Sequence, residues 1–327
     1  MKIRMTTFNC ENLFGRYRIL DKKPAEEITN YEDLLQIPEV VTLEPGRSGK
    51  IKPTKISQEQ RINTANAILE ANPDILAVEE VENLTTLRLF NDKYMDNAFD
   101  QIVLLDGNDA RGIDVGLLIK KQTNLKILEI RSHADEAIDG SYLKKSNRLN
   151  TQVTGQAIFS RDCLEVDVQI ENSILTLLVN HFKAQDTKPA SKAKRERQAK
   201  RVATLAKLAK MNKKVPVVLG DLNIDTQQDD YDSSLDPLFE GDDLYDAFSM
   251  VNANERWTHY YSTKHEVSRL DYILIDHDCV SKVCGVEIMR KGLPIECKQY
   301  SGKHLASMDG NDLAASDHCP TTIVVEF

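Results

Sequence analysis

The chain has 327 residues, 41% hydrophobic and 28% charged, and its 42 basic and 51 acidic side chains leave a net charge of −9. That is enough apolar material for a sizeable core, within the range of one large domain, and the negative balance gives no global attraction to nucleic acid, so any polyanion site has to be local. No apolar run approaches the roughly 20 residues of a membrane span, and the six cysteines (Cys10, Cys163, Cys279, Cys284, Cys297, Cys319) contain no CxxC pair, which indicates neither a zinc site nor a dense disulfide framework.

Lys2 to Phe8 reads as a strand that stops at Asn9-Cys10-Glu11-Asn12, leaving a polar Asn9 at its end. Residues 15 to 57 are rich in charge, proline and glycine, lack a steady period, and read as a long surface insertion. Ser57 as N-cap, with Gln60 in the capping-box place, opens a helix whose Ile62, Ala65, Ile68 and Leu69 recur at helical spacing until Asn72-Pro73. The strand Asp74 to Val78 then runs into Glu79-Glu80-Val81-Glu82-Asn83. A helix beginning near Asn83 accounts for Glu82 as a first-turn acid but leaves Glu80 unexplained.

Gln101 to Leu105 and Ile113 to Ile119 flank a turn-rich stretch and predict a hairpin, with Asp114 on the face opposite Ile113 and Val115. Lys126 to Arg131 is a further strand, and Thr151 to Ser160 pairs with Leu164 to Ile170 around Arg161-Asp162. Ile174 to Val179 is a buried strand ending in Asn180-His181-Phe182-Lys183. Lys188 to Lys214 carries eleven Lys or Arg and one Glu beside an apolar stripe, an amphipathic helix whose basic side reads as a solvated outer face rather than a nucleic-acid contact.

After Pro216 the apolar run Val217-Val218-Leu219 meets Gly220-Asp221-Leu222-Asn223. Residues two apart on an extended chain point the same way, so Asp221 and Asn223 can converge at the strand's end. A strand running into an Asx-rich turn would look the same in isolation. An acidic loop follows, with nine Asp or Glu between Asp225 and Asp246, then the aromatic cluster Trp257-Thr258-His259-Tyr260-Tyr261, then Asp271 entering an apolar strand. Ala315-Ser316-Asp317-His318-Cys319-Pro320 introduces a last strand, Thr321 to Phe327. This order of helices, strands and hairpins predicts two sheets packed face to face with helices outside.

Thr7-Phe8-Asn9, Ala77-Val78-Glu79-Glu80-Val81-Glu82-Asn83, Arg111-Gly112-Ile113-Asp114-Val115, Asn180-His181-Phe182-Lys183, Gly220-Asp221-Leu222-Asn223, Ser268-Arg269-Leu270-Asp271-Tyr272 and Ser316-Asp317-His318 together resemble the endonuclease/exonuclease/phosphatase superfamily. That superfamily includes deoxyribonuclease I, exonuclease III, inositol polyphosphate 5-phosphatases and neutral sphingomyelinases. Each motif alone is weak; seven in the family order is a strong signal, and the pattern looks closest to bacterial nucleases of the group.

The resemblance implies a four-layer α/β sandwich, a single domain over 1–327, and a Mg²⁺-dependent phosphodiesterase acting on DNA, with RNA as the alternative nucleic acid. It implies Glu80 as principal metal ligand beside Asn9 and Asp317, with Mn²⁺ able to substitute and Ca²⁺ a candidate structural ion. Asp221 and Asn223 would orient the attacking water and the phosphate; His318, held by Asp271, would stabilise transition-state charge; His181 would be the second histidine, with Asp114 as its partner. Asn9, Arg111, Arg161 and Asn180 would contact the phosphate, and local cations such as Arg111, Arg148, Arg161 and Lys183 would hold the polyanion. Two positions depart from the family: Glu79 replaces the usual Gln, and Leu222 the usual Phe or Trp. A phosphatase or a sphingomyelinase-like lipid phosphodiesterase is the alternative within the group; an inactive binding module is the alternative outside it. A monomer is expected, with no protein partner inferable. Free thiols suit the cytoplasm, whereas a secreted chain relieved of its signal peptide would look the same.

Overall fold

The computed structural model describes residues 1–13, 40–45, 51–56, 58–109, 111–143, 156–228, 232–241, 243–308 and 313–327. Most of the expected insertion at 15–57, the expected N-cap Ser57, and Arg148 lie outside the described residues. What is described of the insertion is an antiparallel pair, β2 (Val40–Pro45) and β3 (Ile51–Ile56).

Two six-stranded sheets carry the fold. In spatial order the first contains β15 (Val283–Ile288), β16 (Thr321–Glu326), β1 (Lys2–Leu13), β4 (Ile75–Val81), β6 (Asp114–Lys120) and β5 (Phe99–Leu104). The second contains β11 (Leu244–Asp246), β14 (Asp271–Asp276), β10 (Val215–Asp221), β9 (Ser173–His181), β8 (Cys163–Ile170) and β7 (Lys126–Ser132). Alternation along the strands decides what they face. Met5, Ala77, Leu177, Val217 and Ile273 join one buried cluster between the sheets. Their neighbours one residue on point outward: Leu76 and Val78 pack with residues of α1 (Gln58–Ala71) and α2 (Leu84–Tyr94), while Leu178, Val218 and Leu274 pack with residues of α3 (Pro189–Met211). The result is helix, sheet, sheet, helix, as the sequence pattern predicts, with each buried Leu or Ile contributing roughly 1.5–3 kcal/mol. Asn83 caps α2 by accepting from the Thr86 N–H at 2.8 Å, which accounts for the chain turning away after the acidic run.

Each sheet has one parallel pair at its centre, β1 with β4 and β9 with β10, and all its other pairings are antiparallel. Parallel strands finish together, so Asn9, Glu80, His181 and Asp221 arrive at one end of the sandwich. Antiparallel neighbours begin there: Asp271 opens β14 opposite Asp221, and Asp114 opens β6 opposite Val81. Ligands in α/β sheets settle at such carboxyl ends because many chain turns expose polar groups there.

Two strand expectations need correction. β8 pairs with β7 and β9, so the hairpin is Cys163–Ile170 with Ser173–His181, closed by Glu171-Asn172 with Glu171 at φ 50, rather than a pairing with 151–160. Of that stretch, Ala157 makes an isolated bridge to Ala137, and 151–155 lie outside the described residues. β15 escaped the sequence reading because it is an edge strand without a clean alternation of burial. The basic helix α3 faces acids as much as solvent: fully buried Arg195 reaches Asp232 at 2.5 Å, Arg201 reaches Glu136 at 2.6 Å and Lys210 reaches Asp276 at 2.9 Å.

Between α3 and β8 lies a buried ionic network. His133 Nδ1 is 2.7 Å from Glu136 and its Nε2 is 2.7 Å from Glu165, which in turn accepts from Arg131. Burial opposes the charge on His133, but the two carboxylates outweigh it and hold the imidazole up at about 9. The folded value lies above the ordinary 6.5, so the stabilisation is fully present below pH 6.5 and is lost as pH rises through 9. Thermal melts of the wild type should therefore fall more steeply between pH 6.5 and 9.5 than those of His133→Gln, by at most about 3 kcal/mol. Parallel pH profiles for the two proteins would remove this account.

Candidate active site

Gly220 sets the geometry from which the site is built. Its φ is 137, a region closed to other residues, and a Cβ there would sit 1.8 Å from the Asn180 carbonyl oxygen. The missing side chain lets β10 lie against β9 at the point where both strands end, bringing Asp221 beside His181. Asn223 follows at φ 59, a left-handed conformation that Asn tolerates.

Asp221 is the buried centre. Its Oδ1 accepts from the Asn223 N–H at 2.8 Å, and its Oδ2 accepts from Asn9 Nδ2 at 3.1 Å. The same oxygen lies 3.4 Å from His181 Nε2 and 3.9 Å from His318 Nε2. Burial raises the Asp221 carboxyl to about 7, with the His318 charge pulling the other way and Asp271 adding to the rise. His318 Nδ1 lies 2.9 Å from Asp271 Oδ2, an oxygen that also accepts from the Thr258 hydroxyl at 2.6 Å. Burial works against charging His318, but Asp271, Asp317 and Asp221 outweigh it and hold the imidazole well above its usual range. The Ser316 hydroxyl donates to the Asn9 carbonyl at 2.8 Å and accepts from the His318 N–H at 3.0 Å, tying the last loop to β1.

A second group is acidic. Glu80, at φ 60 on the bulged end of β4, places its carboxylate 3.9 Å from His181 Nε2. Burial pushes Glu80 upward, Asp317 adds to this, and Arg161 offsets part of it. Glu11 stays exposed at the end of β1, and the surrounding protein, then Asp317 and Glu80, push its carboxyl upward, although its Oε2 accepts from the Asp317 N–H at 3.1 Å. Asp317 raises both Glu80 and Glu11 while its own carboxyl, against burial, is held below the usual range by His259 and His318, so the negative charge gathered here is one that a cation would relieve. Asn9 Oδ1 accepts one N–H, from Glu11, and keeps a second lone pair. These all-oxygen donors fit a hard divalent ion such as Mg²⁺. Sequence reasoning missed Glu11, although its position two residues after Asn9 on a strand is the same signal that links Asp221 to Asn223. It also missed Thr258 and Ser316, whose roles depend on contacts distant in sequence. Glu79 is fully buried, accepts from the Thr7 hydroxyl at 2.7 Å, and has an Oε2 with no partner. Burial holds it well above the usual carboxyl range.

Several expected residues sit elsewhere. Asn180 lies one residue before His181 on β9, so it faces the outer layer; it is fully buried, and its amide donates to the Leu178 carbonyl at 2.9 Å. Asp114 accepts from the Gly107 N–H at 2.7 Å, while His181 Nδ1 has no hydrogen-bond partner, so the expected Asp114–His181 pair is absent. Arg161 is 2% exposed, 3.0 Å from Asp109, and donates to the Phe182 carbonyl at 2.9 Å. Its charge lowers both Glu80 and His181. Arg111, exposed on the rim, shares Asp109 with it at 3.2 Å. In the aromatic cluster, Trp257 lies under Arg290 at 4.0 Å and Tyr260 is fully buried, which leaves Tyr261 facing solvent.

Two packed six-stranded mixed sheets with this carboxylate and histidine cluster at the ends of their central strands define a phosphoesterase fold of the deoxyribonuclease I type. The Endonuclease/Exonuclease/phosphatase family model matches residues 27–325, and the chain belongs to that family. Similar solved structures include the human Nocturnin catalytic domain with bound sulfate anion, at 14% identity and TM-score 0.58, covering 100% of this chain and 94% of that one. D. rerio TDP2 complexed with single strand DNA product gives 13% identity and TM-score 0.58, covering 100% and 99%. An endonuclease/exonuclease/phosphatase family protein from Bacteroides thetaiotaomicron gives 14% and 0.57, covering 100% and 96%. No curated protein matches the chain. Among the described residues no helix is long and apolar enough to cross a membrane.

Proposed function

We propose that the chain is a single-domain, Mg²⁺-dependent phosphodiesterase whose substrate is nucleic acid, DNA foremost. The observation that carries this reading is Asp221, a buried carboxyl raised to about 7 and held on both oxygens between the His318–Asp271 pair and Glu80. A base poised near neutral pH can take a proton from water and return to its resting state. Asn223 fixes the base through its backbone N–H. His318, kept charged by Asp271, Asp317 and Asp221, meets the negative charge that builds on the phosphoryl oxygens. His181 is held well below the usual imidazole range by burial, then by Arg161 and His318, so it enters as a neutral hydrogen-bonding group rather than as a cationic acid. Glu80, Asp317 and Asn9 would hold the metal, which when bound would neutralise a non-bridging oxygen and the leaving oxygen.

DNA as substrate is supported by the similar TDP2 structure holding a single strand DNA product, and by a rim where Arg111 is exposed and Tyr261 is 45% exposed with Lys264 over its ring at 5.8 Å. The test is a panel of plasmid, single-stranded DNA, RNA, a phosphomonoester and sphingomyelin, each with Mg²⁺ or EDTA. Expected are DNA cleavage with Mg²⁺, none with EDTA, and a folded Glu80→Ala that loses most activity. Full cleavage in excess EDTA removes the metal role; turnover of the monoester or the lipid alone removes the nucleic-acid reading.

A further inference from the structure

A hairpin of β12 (His259–Tyr261) and β13 (Glu266–Ser268) runs beside the last loop, and His259 forms an isolated antiparallel bridge with His318. The two imidazole rings are 4.7 Å apart, centre to centre. Both turn the same nitrogen inward. His259 Nε2 is 3.5 Å from Asp317 Oδ2, and His318 Nε2 is 3.9 Å from Asp317 Oδ1. Both anchor the other nitrogen outward, His259 Nδ1 at 3.0 Å from the Ser268 hydroxyl and His318 Nδ1 at 2.9 Å from Asp271. An outer partner on one ring nitrogen, with the other aimed at a shared point, is how proteins prepare imidazoles as metal ligands.

We propose that His259, Asp317 and His318 form a second cation subsite, selective for a borderline metal such as Zn²⁺ and distinct in chemistry from the all-oxygen set around Glu80. The donor set is two nitrogens and one carboxylate, which Mg²⁺ disfavours and Zn²⁺ prefers. One donor atom from each of the three residues lies within 4.8 Å of the others. Donors around a tetrahedral Zn²⁺ stand roughly 3.4 Å apart, so closure asks only for rotation of the Asp317 carboxylate and a small approach of the hairpin. Three protein ligands leave a fourth position open to water or a phosphate oxygen. His259 has no part in the oxygen set, so this subsite adds a function to the hairpin. Its consequence rests on the function proposed above: a cation here displaces the Nε2 proton of His318 to solvent and takes the nitrogen that would face the phosphate, together with a carboxylate that would serve Mg²⁺, so Zn²⁺ acts as an inhibitor.

Binding is measured first, without substrate, by titrating Zn²⁺ into metal-free protein in excess Mg²⁺ and, in parallel, by following the visible absorption of Co²⁺ as a tetrahedral probe. Wild type is expected to take one Zn²⁺ per chain, His259→Gln to bind at least ten-fold more weakly, and Ser268→Ala to fall between them. Hydrolysis of DNA is then read as the ratio of rates with and without micromolar Zn²⁺, each variant against itself. Wild type should be inhibited and His259→Gln spared. Wild type that takes no Zn²⁺ over Mg²⁺, or His259→Gln that binds as tightly, overturns the subsite. Because the titration needs no turnover, a protein that proves inactive on every phosphate ester still decides the subsite, and an active protein that ignores Zn²⁺ loses this inference alone.

Discussion

Asp221→Asn is expected to lower kcat by roughly 10³-fold or more while leaving the protein folded and, above neutral pH, more stable than wild type. Both effects come from one shift. The carboxyl is raised to about 7, first by burial, so the folded state favours the protonated form. A folded value above the ordinary 3.8 means that stability is fully present below pH 3.8 and declines as pH rises through 7, relative to a neutral isostere. The catalytic form is the deprotonated one, so activity should rise through pH 7, where the fall in stability levels off. Melting curves of wild type and Asp221→Asn in metal-free buffer, from pH 5 to 8.5, with kcat/KM measured over that range, test the pair of claims together. A variant less stable than wild type at pH 8 would show that the carboxylate is a structural charge, and a flat activity profile through pH 7 would remove it as the base.

Which parts of this were legible in the sequence follows from what a one-dimensional pattern carries. The strands β1, β4, β9, β10 and β14 each combine an apolar run with a polar terminus, and the conflict between burial and polarity marks Asn9, Glu80, His181, Asp221 and Asp271 without any coordinates. Their convergence follows from topology: two central parallel pairs end at one edge, where antiparallel neighbours begin. Pairing was less legible. Cys163–Ile170 and Ser173–His181 are joined by only Glu171-Asn172, a turn without the usual glycine, so the sequence carries no signal for the β8–β9 hairpin.

Side-chain direction failed in a more instructive way. Asn180 and His181 are adjacent in one motif, yet a strand sends adjacent residues to opposite faces, and only one of them can enter the space between the sheets. Asp114 was expected to hold His181, but the Gly107 N–H claims its carboxylate from a loop whose path the sequence does not specify. The hydroxyls of Thr258 and Ser316 were invisible because their partners are Asp271 and Asn9, one thirteen residues away and the other across the chain. The basic helix keeps Lys192, Lys200 and Lys207 exposed, in line with a solvated face, while Arg195, Arg201 and Lys210 are answered by acids at Asp232, Glu136 and Asp276.

The two histidines should separate under one set of measurements, because their environments push them to opposite protonation states. His318→Ala is expected to lower kcat by roughly 10²-fold or more with little change in KM, the mark of an interaction made in the transition state. Its charge depends on Asp271, which accepts from Nδ1 at 2.9 Å. Asp271→Asn should therefore lower the imidazole's pKa and move the alkaline fall in activity to lower pH, and the double variant should be little worse than His318→Ala alone. Additive losses would mean that Asp271 acts independently of the histidine. His181 is neutral, with Nδ1 unpartnered, so Asp114→Asn should leave kcat within a few-fold of wild type, whereas His181→Ala lowers it. A nitrophenyl ester then fixes the role of His181, since nitrophenolate leaves without needing a proton. A contact to the phosphate should cost the same on that ester as on DNA. If the His181→Ala defect instead disappears on the nitrophenyl ester, the histidine delivers the leaving-group proton, and its neutral resting state must give way to a charged one when metal and substrate are bound.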